Sequence, residues 1–255
     1  MDGNDDLGAS VFKPVNSCLQ FIKDEIEVVD FAIRGAYALE ASPDIIRIAE
    51  KAVPEHGNLF LIIKKITSVA NSKKEWIEKQ RDGGFETFYR HSLISVWASF
   101  ESCVEDLFVS IVKMDVEYFD KVKSSFKNWK VSYADMEEGD FHKMYSDFER
   151  RVPKNNAYYK CRSVLNIFEI DFVLNDAQSS LFVEANEVRN CLLHRSGNID
   201  AIAIERAPTL SRFDIGCVKV DKIMYIGYSN VVIDVVKQIF VSVMNLIRLR
   251  YYKNG

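Results

Sequence analysis

TFYRHSLISVWASFESCVEDLFVSIVKMD, residues 87–115, decides the fold class. Leu93, Val96, Trp97, Phe100, Cys103, Val104, Leu107, Phe108 and Ile111 recur at intervals of three and four, which winds them onto one wide apolar face of a helix. Ser95, Ser99, Ser102 and Ser110 hold much of the other side, small enough for close packing in a bundle. No proline interrupts 55–152 and glycines are few there, so that whole span is free to be helical.

Working outward, 58–80 places Leu59, Ile62, Ile63, Ile66, Val69 and Ala70 at helical spacing and ends in a charged stretch before Gly83-Gly84. Three shorter, more polar helices are expected over 118–129, 141–152 and 158–168. Asp176 is a suitable N-cap for a helix over 177–195, with Gly197 just past its end. Residues 231–250 carry a closing core helix, although its many β-branched residues weaken the helical signal. Between these last two, alternating Ile199, Ile202 and Ile204 and the segment CVKVDKIMYIGY leave room for a short strand pair.

Residues 1–57 read as an N-terminal extension, with helices over 18–39 and 44–52 separated by Pro43 and a role the sequence does not define. The expectation is therefore an all-α chain: an up-and-down helical bundle over 58–255 with a helical extension before it.

Of 255 residues, 48% are hydrophobic and 27% charged, enough apolar side chains to build a sizeable core without covalent staples. The net charge of −4 argues against a protein that coats nucleic acid through a broad basic surface, while leaving a local basic site open. Cys18, Cys103, Cys161, Cys191 and Cys217 are odd in number and far apart, with no CxxC pair and no histidine at zinc-ligand spacing. Reduced thiols in a cytoplasmic protein, with no metal and no cofactor, are expected. The acidic start MDGNDDLGAS is unlike a secretory signal, and the apolar stretch 231–249 is broken by Asp234, Lys237, Gln238, Asn245 and Arg248, so no membrane span is expected.

One stretch carries chemistry: VRNCLLHRSGN, residues 188–198. At about 100° of turn per residue, Leu181, Ala185, Val188 and Leu192 form a core stripe, while Asn190 and His194 point to the opposite side with Glu187. Arg189 lies on the flank, and its long stem can swing toward His194. From periodicity alone a solvated helix end is the expected reading over a site. Val183 and Leu193, apolar on the side away from the stripe, hint at a second subunit there.

The string Arg189-Asn190-x-x-x-His194 resembles the RxxxxH motif of HEPN domains, in which a polar residue follows the arginine. The Gly-Asn-Ile-Asp that follows, and Ser99-Phe100-Glu101 on the earlier long helix, are similar to HEPN sequences of the toxin and abortive-infection type. The likeness covers roughly 86–252. It implies a helical bundle that dimerises with the two motif helices facing across a cleft, and a metal-independent endoribonuclease leaving a 2′,3′-cyclic phosphate and a 5′-hydroxyl. It also implies RNA as substrate, a toxin or antiphage role, and an antitoxin or regulatory protein as partner. The alternative is a HEPN-like module that binds RNA, nucleotide or protein without cutting. Members controlled by a nucleotidyltransferase carry a tyrosine two places after the histidine; here Ser196 stands there, which puts that control in doubt.

The residue chemistry fits on its own terms. Cleavage by the 2′-hydroxyl needs proton transfer near neutral pH, suited to an imidazole such as His194. The charge that builds on the phosphate suits the planar fork of Arg189. Asn190 can orient His194 or donate to phosphate. Glu101 reads first as a partly buried carboxylate with a structural cationic partner; beside Arg189, it would position that side chain. His56, His91 and His142 read as surface residues. Arg150, Arg151, Lys154, Lys160 and Arg162, interleaved with Tyr158 and Tyr159, form a solvated basic run or a weaker RNA-backbone contact.

Overall fold

The face expected over 87–115 is the centre of the molecule. In a computed structural model describing residues 4–51, 58–127, 130–152, 156–213 and 216–253, helix α3 spans Glu86–Met114 and buries all nine of the apolar residues named for it. Around it lie α1 (Asn4–Lys51), α2 (Asn58–Asp82), α4 (Val116–Lys123), α5 (Glu138–Glu149), α6 (Ala157–Asn166), α7 (Asp176–His194), the short α8 (Ala201–Arg206) and α9 (Lys222–Lys253). The fold is all-α, and α3 contacts α1, α4, α5, α6, α7 and α9.

The N-terminal residues form one helix, not two. Pro43 sits inside α1, where it lacks the N–H that would reach the carbonyl of Leu39. The hydroxyl of Ser42 donates to that carbonyl at 2.8 Å, so the freed acceptor is satisfied and the helix continues through the proline. Val11, Val15, Cys18 and Ile22 of α1 are buried, and α1 packs along α3 and α9.

The strand pair expected over 199–229 is replaced by helical turns. Asp200 caps α8 by accepting from the backbone of Ala203 at 2.8 Å, and a 3-10 turn follows over Pro208–Arg212. Only an isolated antiparallel bridge, Asn198 to Cys217, joins the two sides among the described residues. Most of the alternating segment belongs to α9, which begins where Asp221 accepts from the backbone of Met224 at 2.8 Å. In length and composition α9 is apolar enough to cross a bilayer; within the chain one side of it packs into the core, with Tyr228, Val232, Val235, Val236, Ile239 and Val243 fully buried.

Helix α7 starts one residue earlier than Asp176 would cap it. Asn175 accepts from the backbone of Gln178 at 2.9 Å, and the Gln178 side chain accepts from the backbone of Asn175 at 3.2 Å, closing a reciprocal cap. Asn175→Ala is expected to cost about 1 kcal/mol, read as a lower midpoint in urea unfolding with an unchanged slope.

Candidate functional site

Helix α7 is enclosed on more sides than its core stripe suggests. It packs against α3, α6, α8 and α9 and buries Phe182, Val183, Glu184, Glu187 and Cys191 along with Ala185 and Val188. The reading of Glu187 and Val183 as outward-facing is therefore corrected. Neighbouring helices of the same chain cover that side, so Val183 is no sign of a second subunit. Leu193, 45% exposed, remains open to solvent.

Two carboxylates buried on one helix need partners, since an unpaired buried charge is costly. Glu184 takes both guanidinium nitrogens of Arg212, at 2.5 and 2.6 Å, and the hydroxyl of the fully buried Tyr228. Burial pushes its carboxyl up, but the hydrogen bonds from Arg212, Thr209 and Tyr228 outweigh this and hold it below the ordinary range. Glu187 accepts from Asn186 at 3.2 Å and faces Arg206 at 3.7 Å. The sequence reading missed Glu184, Arg206 and Arg212. The available signal was LFVEANEV, residues 181–188, where two glutamates and Asn186 interrupt an apolar run.

The motif residues meet in part. The Arg189 guanidinium donates to Glu101 of α3 at 2.6 Å and to the side-chain oxygen of Asn190 at 3.0 Å. Glu101 in turn accepts from the indole of Trp97 at 3.1 Å. Glu101 thus does what its proximity would require: it fixes the arginine. These groups line a cleft of about 290 Å³ between α3, α5, α6, α7 and α8, walled by Trp97, Phe100 and Tyr145. His194 does not line it; exposed at the last position of α7, it lies one turn beyond Asn190.

Charges in the cleft balance. Lys160 pairs with Glu149 at 2.7 Å, Arg189 with Glu101 and Arg206 with Glu187, so each of these cations already faces a carboxylate. Among the described residues, Nε of Arg189 and Oε2 of Glu187 are buried without a hydrogen-bond partner. The protein alone does not fully satisfy these two groups.

The end of α7 is held firmly. Ser196 and Gly197 both take positive φ, 53° and 86°, and the Gly197 N–H reaches back to the carbonyl of Cys191 at 2.8 Å. The left-handed turn therefore begins at Ser196, one residue before the glycine expected to make it. Arg195 pairs with Asp200 at 2.9 Å, and Val218 donates to the Gly197 carbonyl at 2.8 Å. A Cβ at Gly197 would lie 3.2 Å from the Cys217 sulfur and 3.4 Å from the Arg90 guanidinium. Gly197→Ala is expected to destabilise by about 1–2 kcal/mol, seen as a lower melting temperature.

The remaining candidates scatter. His142 accepts or donates to Glu105 at 2.8 Å and so does not stand alone; His91 is exposed, and His56 lies outside the described residues. Of the basic run, Arg150 pairs with Asp147, Lys160 with Glu149 and Arg162 with Asp171, while Lys154 lies outside the described residues. Five free cysteines, four of them buried, form no disulfide. Among the described residues no three His, Cys, Asp or Glu side chains gather where they could hold a metal ion.

No family model, characterised protein or solved structure matches the chain.

Proposed function

We propose that the chain is a metal-independent endoribonuclease of HEPN type, acting as a toxin or antiphage effector in the cytoplasm. The observation that carries this reading is the Glu101–Arg189–Asn190 arrangement, with Arg189 fixed from α3 and an exposed His194 one turn further along the same helix. Glu101 fixes the arginine's direction, which lowers the entropy lost when the fork takes a phosphate oxygen. His194, open to solvent, moves the proton of the attacking 2′-hydroxyl or of the leaving 5′-oxygen. Asn190 holds the second edge of the guanidinium. A second copy of the chain would reach this site over exposed Leu193 and His194.

A second reading has its own support. Because Lys160, Arg189 and Arg206 each face a carboxylate, every one of these cations in the cleft is already paired among the described residues, which favours a module that binds a partner without cutting over one that stabilises a developing phosphate charge. Incubation of the purified chain with single-stranded RNA and with its 2′-deoxy counterpart, in the presence of EDTA, separates the two. The nuclease reading predicts cleavage of RNA alone, with 2′,3′-cyclic phosphate ends. Cutting of the deoxy strand would overturn the mechanism, and binding without products would favour the second reading.

A further inference from the structure

We infer that α1 and α2 form an arm through which two copies of this chain pair as a four-helix bundle. The inference rests on surfaces unconnected with α7, so it stands or falls separately from the nuclease reading.

Helix α2 has two adjacent heptad seams. Ile63, Thr67, Ala70, Lys74 and Ile77 recur at intervals of four and three, are wholly or partly buried, and lie against α1, the neighbour of α2. The second seam is Leu59, Ile62, Ile66, Val69, Lys73 and Trp76, at intervals of three and four throughout. Its five apolar members are exposed, from 48% at Ile66 to 57% at Leu59. At about 100° per residue the two seams lie roughly a quarter turn apart, the angle at which a helix in a four-helix bundle meets its two neighbours. One neighbour is present; of the second seam, Trp76 meets the Phe88 ring of α3 at 6.2 Å, and Leu59, Ile62, Ile66 and Val69 await the other.

Helix α1 repeats the pattern. Val28, Phe31, Gly35, Ala38, Ser42 and Ile45 follow the same alternation of three and four. Val28, Phe31 and Ile45 are 60%, 77% and 64% exposed. The small residues between them permit close approach of a partner helix. At roughly 100 Å² for each exposed large side chain, the two stripes offer on the order of 800 Å², the area a standard interface takes from each partner.

Charge selects the occupant and its pairing. Residues 23–51 of α1 carry seven acidic and four basic side chains, a net of −3, while α2 carries six basic and three acidic, a net of +3. An α2 stripe therefore matches the α1 stripe of another copy, so that the helices of two arms alternate around the bundle.

The test is the mass of the full-length chain in solution by light scattering at micromolar loading. In a Leu193→Glu background, which removes pairing over the end of α7, the chain is expected at twice the chain mass, and with Ile62→Glu/Ile66→Glu added at the single-chain mass with unchanged helical circular dichroism. Leu61→Glu, exposed but off the seam, stays at twice the mass. If the double variant loses helical signal, Phe31→Lys on α1 gives the same readout at a site 77% exposed. A single-chain mass for Leu193→Glu alone, or a double mass for both folded seam variants in that background, overturns the inference. Wild type found as single chains that float with phosphatidylcholine vesicles assigns the stripes to a lipid surface instead, which also overturns it.

Discussion

His194→Ala is expected to slow RNA cleavage by about 10²- to 10⁴-fold, the range over which a positioned proton donor or acceptor accelerates a reaction. The side chain is exposed and makes no hydrogen bond among the described residues. Its removal should therefore leave the unfolding free energy within about 0.5 kcal/mol of wild type, so loss of activity cannot be assigned to loss of structure. Arg189 is the opposite case. Arg189→Lys keeps the charge but not the fork, so it cannot engage Glu101 and a phosphate together, and a loss of about 10²-fold is expected. Initial rates on a labelled RNA, measured beside melting temperatures for the same preparations, check both. A His194→Ala enzyme cutting at the wild-type rate would remove His194 from the mechanism.

Glu184→Ala is expected to destabilise strongly, costing about 3 kcal/mol and lowering the melting temperature by roughly 6–12 °C. The substitution leaves the fully buried Tyr228 hydroxyl without its acceptor and Arg212 without its bidentate partner. The loss sits at the low end for a broken buried pair because the Arg212 side chain is 45% exposed and can turn to water. The pH dependence has a definite sign. Glu184 is held lower in the folded chain than the ordinary carboxylate value, so its contribution is complete above that value and is lost as pH falls through the folded one. Wild type and Glu184→Ala should therefore differ most near neutrality and converge below about pH 4. Thermal melts between neutral and acidic pH measure the convergence; a constant gap would mean that packing, not charge, holds the network.

These expectations divide along what sequence can and cannot carry. The α3 face was legible because nine apolar residues repeat at one period over about five turns, and all of them are buried. Pro43 misled because a proline in isolation stops a helix; whether it does depends on a group that can take the orphaned carbonyl, here the neighbouring Ser42 hydroxyl. The start of α9 read as strand because residues 217–228 alternate, while what holds it helical is long-range: Tyr225 buried against Tyr89 and Ser92 of α3 and Tyr228 against Glu184 of α7. At the site, Arg189, Asn190 and Glu101 were named from the sequence and lie together. Glu184, Arg206 and Arg212 were not. Period-based facing assigned Glu187 to the outside, and the covering helices α6 and α8 join α7 through loops whose path no periodicity reveals.

The nuclease reading meets its most direct test in cells that express the wild-type chain beside Arg189→Ala and His194→Ala, with growth and total RNA integrity followed together. Wild type should arrest growth and degrade RNA, and both variants, folded and equally abundant, should do neither. Intact RNA under wild-type expression, or degradation that persists in the His194→Ala variant, would contradict it.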